Sequence, residues 1–554
     1  MLKASGAMAA ATLTSRVLGM VREMVYMHFM GTGWVNDAFQ YAFTIPNLFR
    51  RLLGEGALTA AFIPVFKEKE KLHGEKEMWR ASNAVISGLI IAASVVTALV
   101  MIGISIALAY GGSAHEILTT YDPYGLPHFT TADGAIHYGT PAYFSDKTIL
   151  MLQLLRLMFP YMILVCLAAA MMGMLNARGH FFIPALGATM LNIVMIASVL
   201  FLAPHFGKEL PEQIFALALG VLAAGAAQAA FQMPTLWRDG FRYRWVSPWR
   251  DETVRRVVKQ MIPGTVGVAA FQINVALVQG VAFFVGTGIV SSFNGAVRLM
   301  ELPQGMFGIS LATYLLPTLS GLATDKNYPE FRATLRHGLG TLIFLNLLMS
   351  VLLVVLAEPI VRLLFERGAF TAVSTQHVTF ALQCLAPGLV MFSTVNILAR
   401  AFFALGDTQT PMKISLVCLA INFAAACALL GPLREGGPGV ANSVTSCLNA
   451  ALLLFALRKK LGKLELASLR KDLGLLVPLT LLAGFCAWES RQLWENNYGH
   501  ATLALKIGAV FVPAGIAGGI YWLAALAGKV PAAKEMTEFA LKRFQKHSTT
   551  NIQH

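Results

Sequence analysis

Three stretches of otherwise apolar sequence carry charges that a lipid interior would not solvate. TSRVLGMVREMVY holds Arg16, Arg22 and Glu23; NDAFQYAFTIPNLFRRLLGEGALTAAFIP holds Asp37, Arg50, Arg51 and Glu55; NGAVRLMELPQGMFG holds Arg298 and Glu301. An ionised side chain at the bilayer centre costs at least ~2.5 kcal/mol on insertion scales, so each must face protein or water. The arginines outnumber the acids, five to four. A surplus guanidinium calls for an anion from elsewhere. Its planar fork of donors and permanent charge match phosphate oxygens.

Plainer readings stand beside this one. Arg50 and Arg51 can snorkel to the interface, and Glu23 and Glu55 can be ordinary ion-pair partners. Arg298 and Glu301, three residues apart, share a helix face and can pair with each other alone. Arg16 and Arg22 are six residues apart, about 120° around a straight helix. They meet at one ligand if Gly19 allows a bend or if the ligand is large. Pro46 likewise separates Asp37 from Arg50.

No enzyme constellation accompanies these charges. The sequence has no metal-type histidine cluster and no glycine-rich phosphate loop ending in Lys-Ser/Thr. It also lacks paired carboxylates in an outside loop of the kind a lipid-linked glycosyltransferase would need. No cofactor or metal is expected, and His73, His180 and His337 read as solvated loop residues. The six cysteines fall in apolar runs and read as small buried hydrophobes.

The elements that must hold these residues are membrane helices. Of the 554 residues 56% are hydrophobic and only 13% charged, with mean hydropathy +0.62; soluble domains carry about 25% charged residues. About 20 apolar residues cross a bilayer as a helix. By that measure about fourteen spans run at 5–29, 36–66, 82–110, 148–174, 182–203, 214–236, 257–287, 291–322, 338–357, 373–403, 413–431, 438–457, 473–489 and 502–527. Spans 36–66 and 291–322 exceed a straight crossing and contain Pro46, Pro64, Pro303 and Pro317, so they are expected to bend.

The net charge of +14 does not imply nucleic acid, because the bases concentrate in alternate loops: 67–80, 238–259, 326–336 and 458–471. The other loops hold only Lys147, Lys208, Arg362, Arg367, Arg434 and Arg491. That asymmetry places the basic loops and both termini in the cytoplasm, facing anionic lipid headgroups. The first span, with two arginines, reads as retained rather than as a cleaved signal. The outside loop 111–147 is expected to form a small cap or to stay mobile, and the basic tail 534–547 to lie on the membrane surface. Residues 175–184 (LNARGHFFIP) and 402–411 (FFALGDTQTP) share glycine, four residues, then proline. This faint repeat suits a transporter with its site between two halves.

On SRVLGMVRE (15–23), NDAFQYAFTIPNLFRRLLGEGALTAAFIPVF (36–66) and AVRLMELPQGMFGISLATYLLPTLS (296–320), with NARGHFFIPA (176–185) and GDTQTPMKI (406–414), the chain resembles the MurJ (MviN) family of lipid II flippases. The resemblance covers essentially the whole chain. It implies an all-α polytopic fold of the multidrug/oligosaccharidyl-lipid/polysaccharide exporter superfamily. Two six-helix lobes, 1–237 and 238–460, would surround a central cavity. Two further helices within 461–527 would make a lipid groove, and 528–554 a cytoplasmic tail. The implied activity is transfer of lipid II, an undecaprenyl-pyrophosphate-linked disaccharide pentapeptide, across the bacterial inner membrane by a monomer. Membrane lipids would be its other partners, with no nucleic acid. Carried over by position, Arg16, Arg22, Arg50 and Arg298 would bind substrate, and Asp37 and Glu301 would position arginines or form gate pairs.

The chain departs from the pattern in places. Thr44 stands where some members have lysine, and Val297 where an acid occurs. The seventh span, 257–287, has no acid for the sodium that some members are thought to bind. Export of another polyprenyl-pyrophosphate-linked oligosaccharide is the alternative. A cation antiporter would want an excess of acids instead.

Overall fold

The structure is a computed structural model that describes residues 2–52, 59–111, 120–121, 127–130, 136–138, 145–462, 464 and 467–538. Glu55 lies outside the described residues. The chain forms two compact units, Met1–Phe283 and Phe284–His554.

The first unit holds α1 (Leu2–Met30), α2 (Trp34–Phe49), α3 (Thr59–Gly111), α4 (Asp146–Met158), α5 (Tyr161–Ala177), α6 (Phe182–Ala197), α7 (Leu210–Arg238) and nearly all of α8 (Glu252–Val285). Gly74, at φ +80°, breaks α3 in two, a conformation that glycine adopts without penalty. Ser145 starts α4 by accepting the Thr148 backbone N–H. α4 and α5 meet at 43°, around Pro160. Between α3 and α4 lie three short antiparallel strands, β1 (Thr120–Tyr121), β2 (Pro127–Thr130) and β3 (Ile136–Tyr138), in the order β1-β2-β3. The loop between α3 and α4 therefore contains a small sheet, while the other regular elements among the described residues are helices.

After α7 an extended segment, residues 239–251, lies along α3. Phe241 is buried against Trp79, with ring centroids 5.5 Å apart; Asn83 donates to the Arg242 carbonyl at 3.0 Å, and Arg80 pairs with Asp251 at 3.1 Å. The family resemblance places α8 with the second lobe; the contacts it makes within the first unit include ones to α2 and α3. Thr44 donates to Gln279 at 2.7 Å, and Arg256 makes a two-pronged pair with Glu68 at 2.7 and 2.8 Å.

The second unit holds α9 (Ile289–Pro303), α10 (Ser310–Thr324), α11 (Tyr328–Val355), α12 (Ala357–Leu364), α13 (Ala372–Leu385), α14 (Leu389–Ala404), α15 (Gln409–Leu433), α16 (Gly437–Leu461), α17 (Ala467–Asn497) and α18 (Leu503–Ala527). Its core runs from Phe331 through Phe344 and Phe402 to Tyr521. Tyr521 stacks on Phe344 at 5.2 Å and donates its hydroxyl to the Phe344 carbonyl at 2.9 Å, which satisfies the one polar atom it buries.

An ion network joins α12 to α17 and α18. Arg362 and Arg491 both contact Glu358 and Glu495, and Lys506 approaches Glu366 at 3.8 Å. Three bases meet three acids here, so this network leaves no local surplus of either sign. The chain after α18 does not simply begin a surface tail. Val530, Ala532 and Ala533 are buried in the core, Trp522 donates to Thr537 at 2.9 Å, and His337 meets Glu535 at 3.0 Å. Part of the segment expected on the membrane surface thus packs on protein, and the rest lies outside the described residues.

Among the described residues nine helices are long and apolar enough to cross a membrane, or ten if the bent α4–α5 pair is one span. Fourteen spans is not the number this criterion returns. Gln409–Leu461 is one continuous apolar stretch that holds both α15 and α16. The apolar helix at Ala269–Val285 is too short for the criterion, α2 has 16 residues, and α1 carries four charged residues, Lys3, Arg16, Arg22 and Glu23. The chain is a multi-pass membrane protein.

Candidate functional site

α2 and α9 share a plan. Each starts after a glycine, Gly33 or Gly288, and reaches a proline, Pro46 or Pro303. Proline lacks the N–H that would hold the preceding turn, so the coil widens. Residues 50–52 and Gln304–Ile309 are π-helical. In spans two and eight the coil therefore widens just after the first proline of each.

On α1, Arg16 is exposed and has no hydrogen-bond or ion-pair partner among the described residues. Arg22 is 12% exposed. It lies 3.6 Å from Glu23, its own neighbour in sequence, and 5.4 Å from the centre of the Tyr26 ring. Its Nε is buried without an acceptor. A buried donor left unmatched costs about 1–3 kcal/mol, so Arg22 is only partly satisfied within the protein.

Asp37 is completely buried in the first turn of α2 and pairs at 3.1 Å with Lys147 from the start of α4. Lys147 also donates to the Phe283 carbonyl at 2.8 Å and stands 4.3 Å above the Phe283 ring. Lys147 is thus one partner of Asp37. Lys147 is a functional candidate that the sequence left among scattered outside bases, because nothing in its spacing connects it to Asp37. Arg50 donates through Nε to Asn47 at 2.7 Å, and Arg51 to Gln272 at 3.4 Å; both are half-buried.

In the second unit Arg298 and Glu301 form an i,i+3 pair at 2.9 Å, 42% and 46% exposed. Arg298 is therefore not a surplus base: it has its own carboxylate, as the plainer reading of the spacing allowed. Exposed pairs of this kind contribute about 0.3–0.5 kcal/mol, so the partnership is easily exchanged.

The faint repeat in sequence has a structural counterpart within each unit. α5 ends with Gly179 at φ +88° and α14 with Gly406 at φ +74°. The next amide in each case closes the same turn: His180 donates to the Leu175 carbonyl at 2.9 Å and Asp407 to the Phe402 carbonyl at 3.0 Å. The side chains then reach to the end of a later helix. His180 meets Asp239 after α7 at 3.1 Å, and Asp407 meets Lys460 on α16 at 2.8 Å. The acid and the base have changed places. The hydrogen bond from Lys460, helped by the Thr410 amide, holds the Asp407 carboxyl well below the usual aspartate range. Arg178, beside the first turn, bridges Glu70 and Glu75 at 2.6 and 2.8 Å.

Arg400 is a second candidate the sequence passed over. It is the one arginine of α14, half-buried, and its Nη1 is enclosed without an acceptor. A count of charges inside apolar spans would have found it. It lies near the end of span 373–403. Among the described residues no cluster of three or more His, Cys, Asp or Glu could hold a metal.

Comparison with known proteins agrees with this picture. The family model described as "Lipid II flippase MurJ" matches residues 26–120 and 135–508. A relative from Haemophilus influenzae, named "Probable lipid II flippase MurJ", is 34% identical over 457 residues, which is 81% of this chain and 84% of that protein. The "Lipid II flippase MurJ" of Burkholderia cenocepacia is 32% identical over 81% of this chain and 82% of its own. A solved structure titled "Lipid II flippase MurJ, inward closed conformation" superposes with a TM-score of 0.71 at 21% identity, over 94% of this chain and 99% of that one. An inward-facing multidrug transporter of the MATE family gives 0.62 at 12% identity, over 83% of this chain and 99% of that one. The shared fold is that of membrane transporters rather than of catalytic enzymes, and this chain belongs to the lipid II flippase MurJ family.

Proposed function

We propose that this protein moves lipid II from the cytoplasmic to the outer leaflet of the bacterial inner membrane by alternating access, as a monomer with both termini in the cytoplasm. Relatives named for this activity match it over most of their length. The observation in its own residues that carries the reading is on α1. Arg16 has no partner among the described residues, and Arg22 has a buried donor unmatched. Such guanidinium groups suit a diphosphate.

In this reading the two lobes and the C-terminal helix pair follow the family plan. Arg16, Arg22, Arg50 and Arg298 receive the pyrophosphate while the polyprenyl chain stays in lipid. The exposed Arg298–Glu301 pair opens at little cost and lets Arg298 turn to the substrate. Asp37, fixed by Lys147, anchors the outer end of α2. Binding of the anion relieves repulsion among the arginines and favours closure around the headgroup. A membrane potential, negative inside, acts on the moving charge with about 2.3 kcal/mol per charge per 100 mV.

The test is an assay of lipid II headgroup exposure on the outer face of cells whose sole copy carries Arg22→Ala, at normal protein level. Exposure is expected to fall sharply. An unchanged rate would remove Arg22 from the proposed site.

A further inference from the structure

We propose that Arg400 is a phosphate-contacting residue of the second unit, near the end of α14. This rests on the flippase reading for the identity of the phosphate, but not for the demand for an anion.

Burial comes first. Nη1 of Arg400 has neither solvent nor an acceptor. Arg400 as a whole is half-buried, and its other guanidinium nitrogens are not enclosed in this way, so one donor is withheld from water while the rest of the fork stays accessible to a ligand. An enclosed, unmatched charged donor is costly, so the site is incomplete as it stands.

Next come the surroundings. α14 has no acid, and neither do α10, α15, α16 or the π-helical Gln304–Ile309 that pack against it. α11 offers only Glu330, which accepts from Asn327 at 2.7 Å. The first acid beyond α14 is Asp407, committed to Lys460 and Thr410. The bases are many by contrast: Arg332 and Arg336 near the start of α11, and Arg458, Lys459 and Lys460 at the end of α16. No carboxylate on a packing element is free to neutralise Arg400.

The depth is also suitable. Arg400 lies four residues before the end of α14, about 6 Å along the axis. With the basic loops at the cytoplasmic surface, that is the level of inner-leaflet phosphates. A guanidinium there suits a phosphate group, either the pyrophosphate of the substrate or the phosphate of a phospholipid.

The experiment uses the full chain in nanodiscs of phosphatidylcholine. Binding of undecaprenyl pyrophosphate and of phosphatidylglycerol is measured separately for the native protein, Arg400→Gln, Arg400→Lys and Arg22→Gln, with thermal unfolding as the check on folding. Arg400→Gln is expected to weaken undecaprenyl pyrophosphate binding about tenfold, with Arg400→Lys falling between. A loss confined to phosphatidylglycerol keeps the phosphate contact and makes a membrane lipid its source. If a folded Arg400→Gln protein binds both probes as the native one does, the inference is overturned. If the native protein and Arg22→Gln bind undecaprenyl pyrophosphate equally, the flippase site assignment fails while the Arg400 comparison still stands.

Discussion

α2 and α9 are built alike and charged differently. Both start after a glycine, meet a proline and pass into a wider coil. α2 buries Asp37 completely and fixes it to Lys147, whereas α9 leaves Arg298 and Glu301 half in the open. A buried pair cannot trade partners cheaply, because each separated charge would stand unsolvated. An exposed pair trades at almost no cost. The same bent scaffold therefore serves as a fixed post in one unit and as an adjustable contact in the other.

The contrast breaks most visibly at Lys147. Lys147→Met strands a buried carboxylate and is expected to lower stability by about 3–5 kcal/mol, read as thermal unfolding in detergent. Adding Asp37→Asn should recover much of the loss. If Lys147→Met unfolds like the native protein, Asp37 is not held as described.

The basic turns give an intermediate effect. Lys460→Glu sets two carboxylates together and is expected to cost about 2 kcal/mol, and the exchanged pair, with Asp407→Lys added, should regain part of it. Because the folded-state pKa of Asp407 is depressed, its contribution is complete above the ordinary aspartate value, about pH 4, and declines as the pH falls further. Asp407→Asn should flatten the acid limb of a stability–pH curve. An unchanged acid limb would count against the pair.

The smallest change in stability is expected at Arg298. Arg298→Gln should shift unfolding by only about 0.3–0.5 kcal/mol, yet reduce lipid II exposure in cells as severely as Arg22→Ala. A large loss of stability would falsify the exposed, exchangeable pair.

Much of this was legible in the sequence. Hydrophobic runs located the helices, and Pro46 and Pro303 in spans two and eight marked the change to a wider coil. The pairing of Arg298 with Glu301 was visible in their spacing, although a surplus of arginine argued for leaving Arg298 free. The partner of Asp37 was not legible, because Lys147 lies beyond a long loop and only tertiary packing joins them. Arg400 was legible in principle: a lone base in a span without acids carries the same signal as Arg16 and Arg22. The span count was harder, since only the short turn Arg434–Gly436 separates α15 from α16 and α1 carries charges that any hydropathy criterion penalises. The reversed pair at the two turns was hidden too. The shared Gly-x4-Pro spacing reports the backbone, and it is silent on which end of a contact bears which sign.

The chain just past α18 sets limits on how the C-terminus can be edited. Val530, Ala532 and Ala533 act as a plug seated in the second unit, with Thr537 holding Trp522 and Glu535 holding His337. Fluorescent fusions or affinity tags appended after Glu538 leave that plug in place. Trimming back to Lys529 would uncork the bundle and wet its interior, so a shortened protein that fails in cells would report a leaking core rather than a lost signal in the tail.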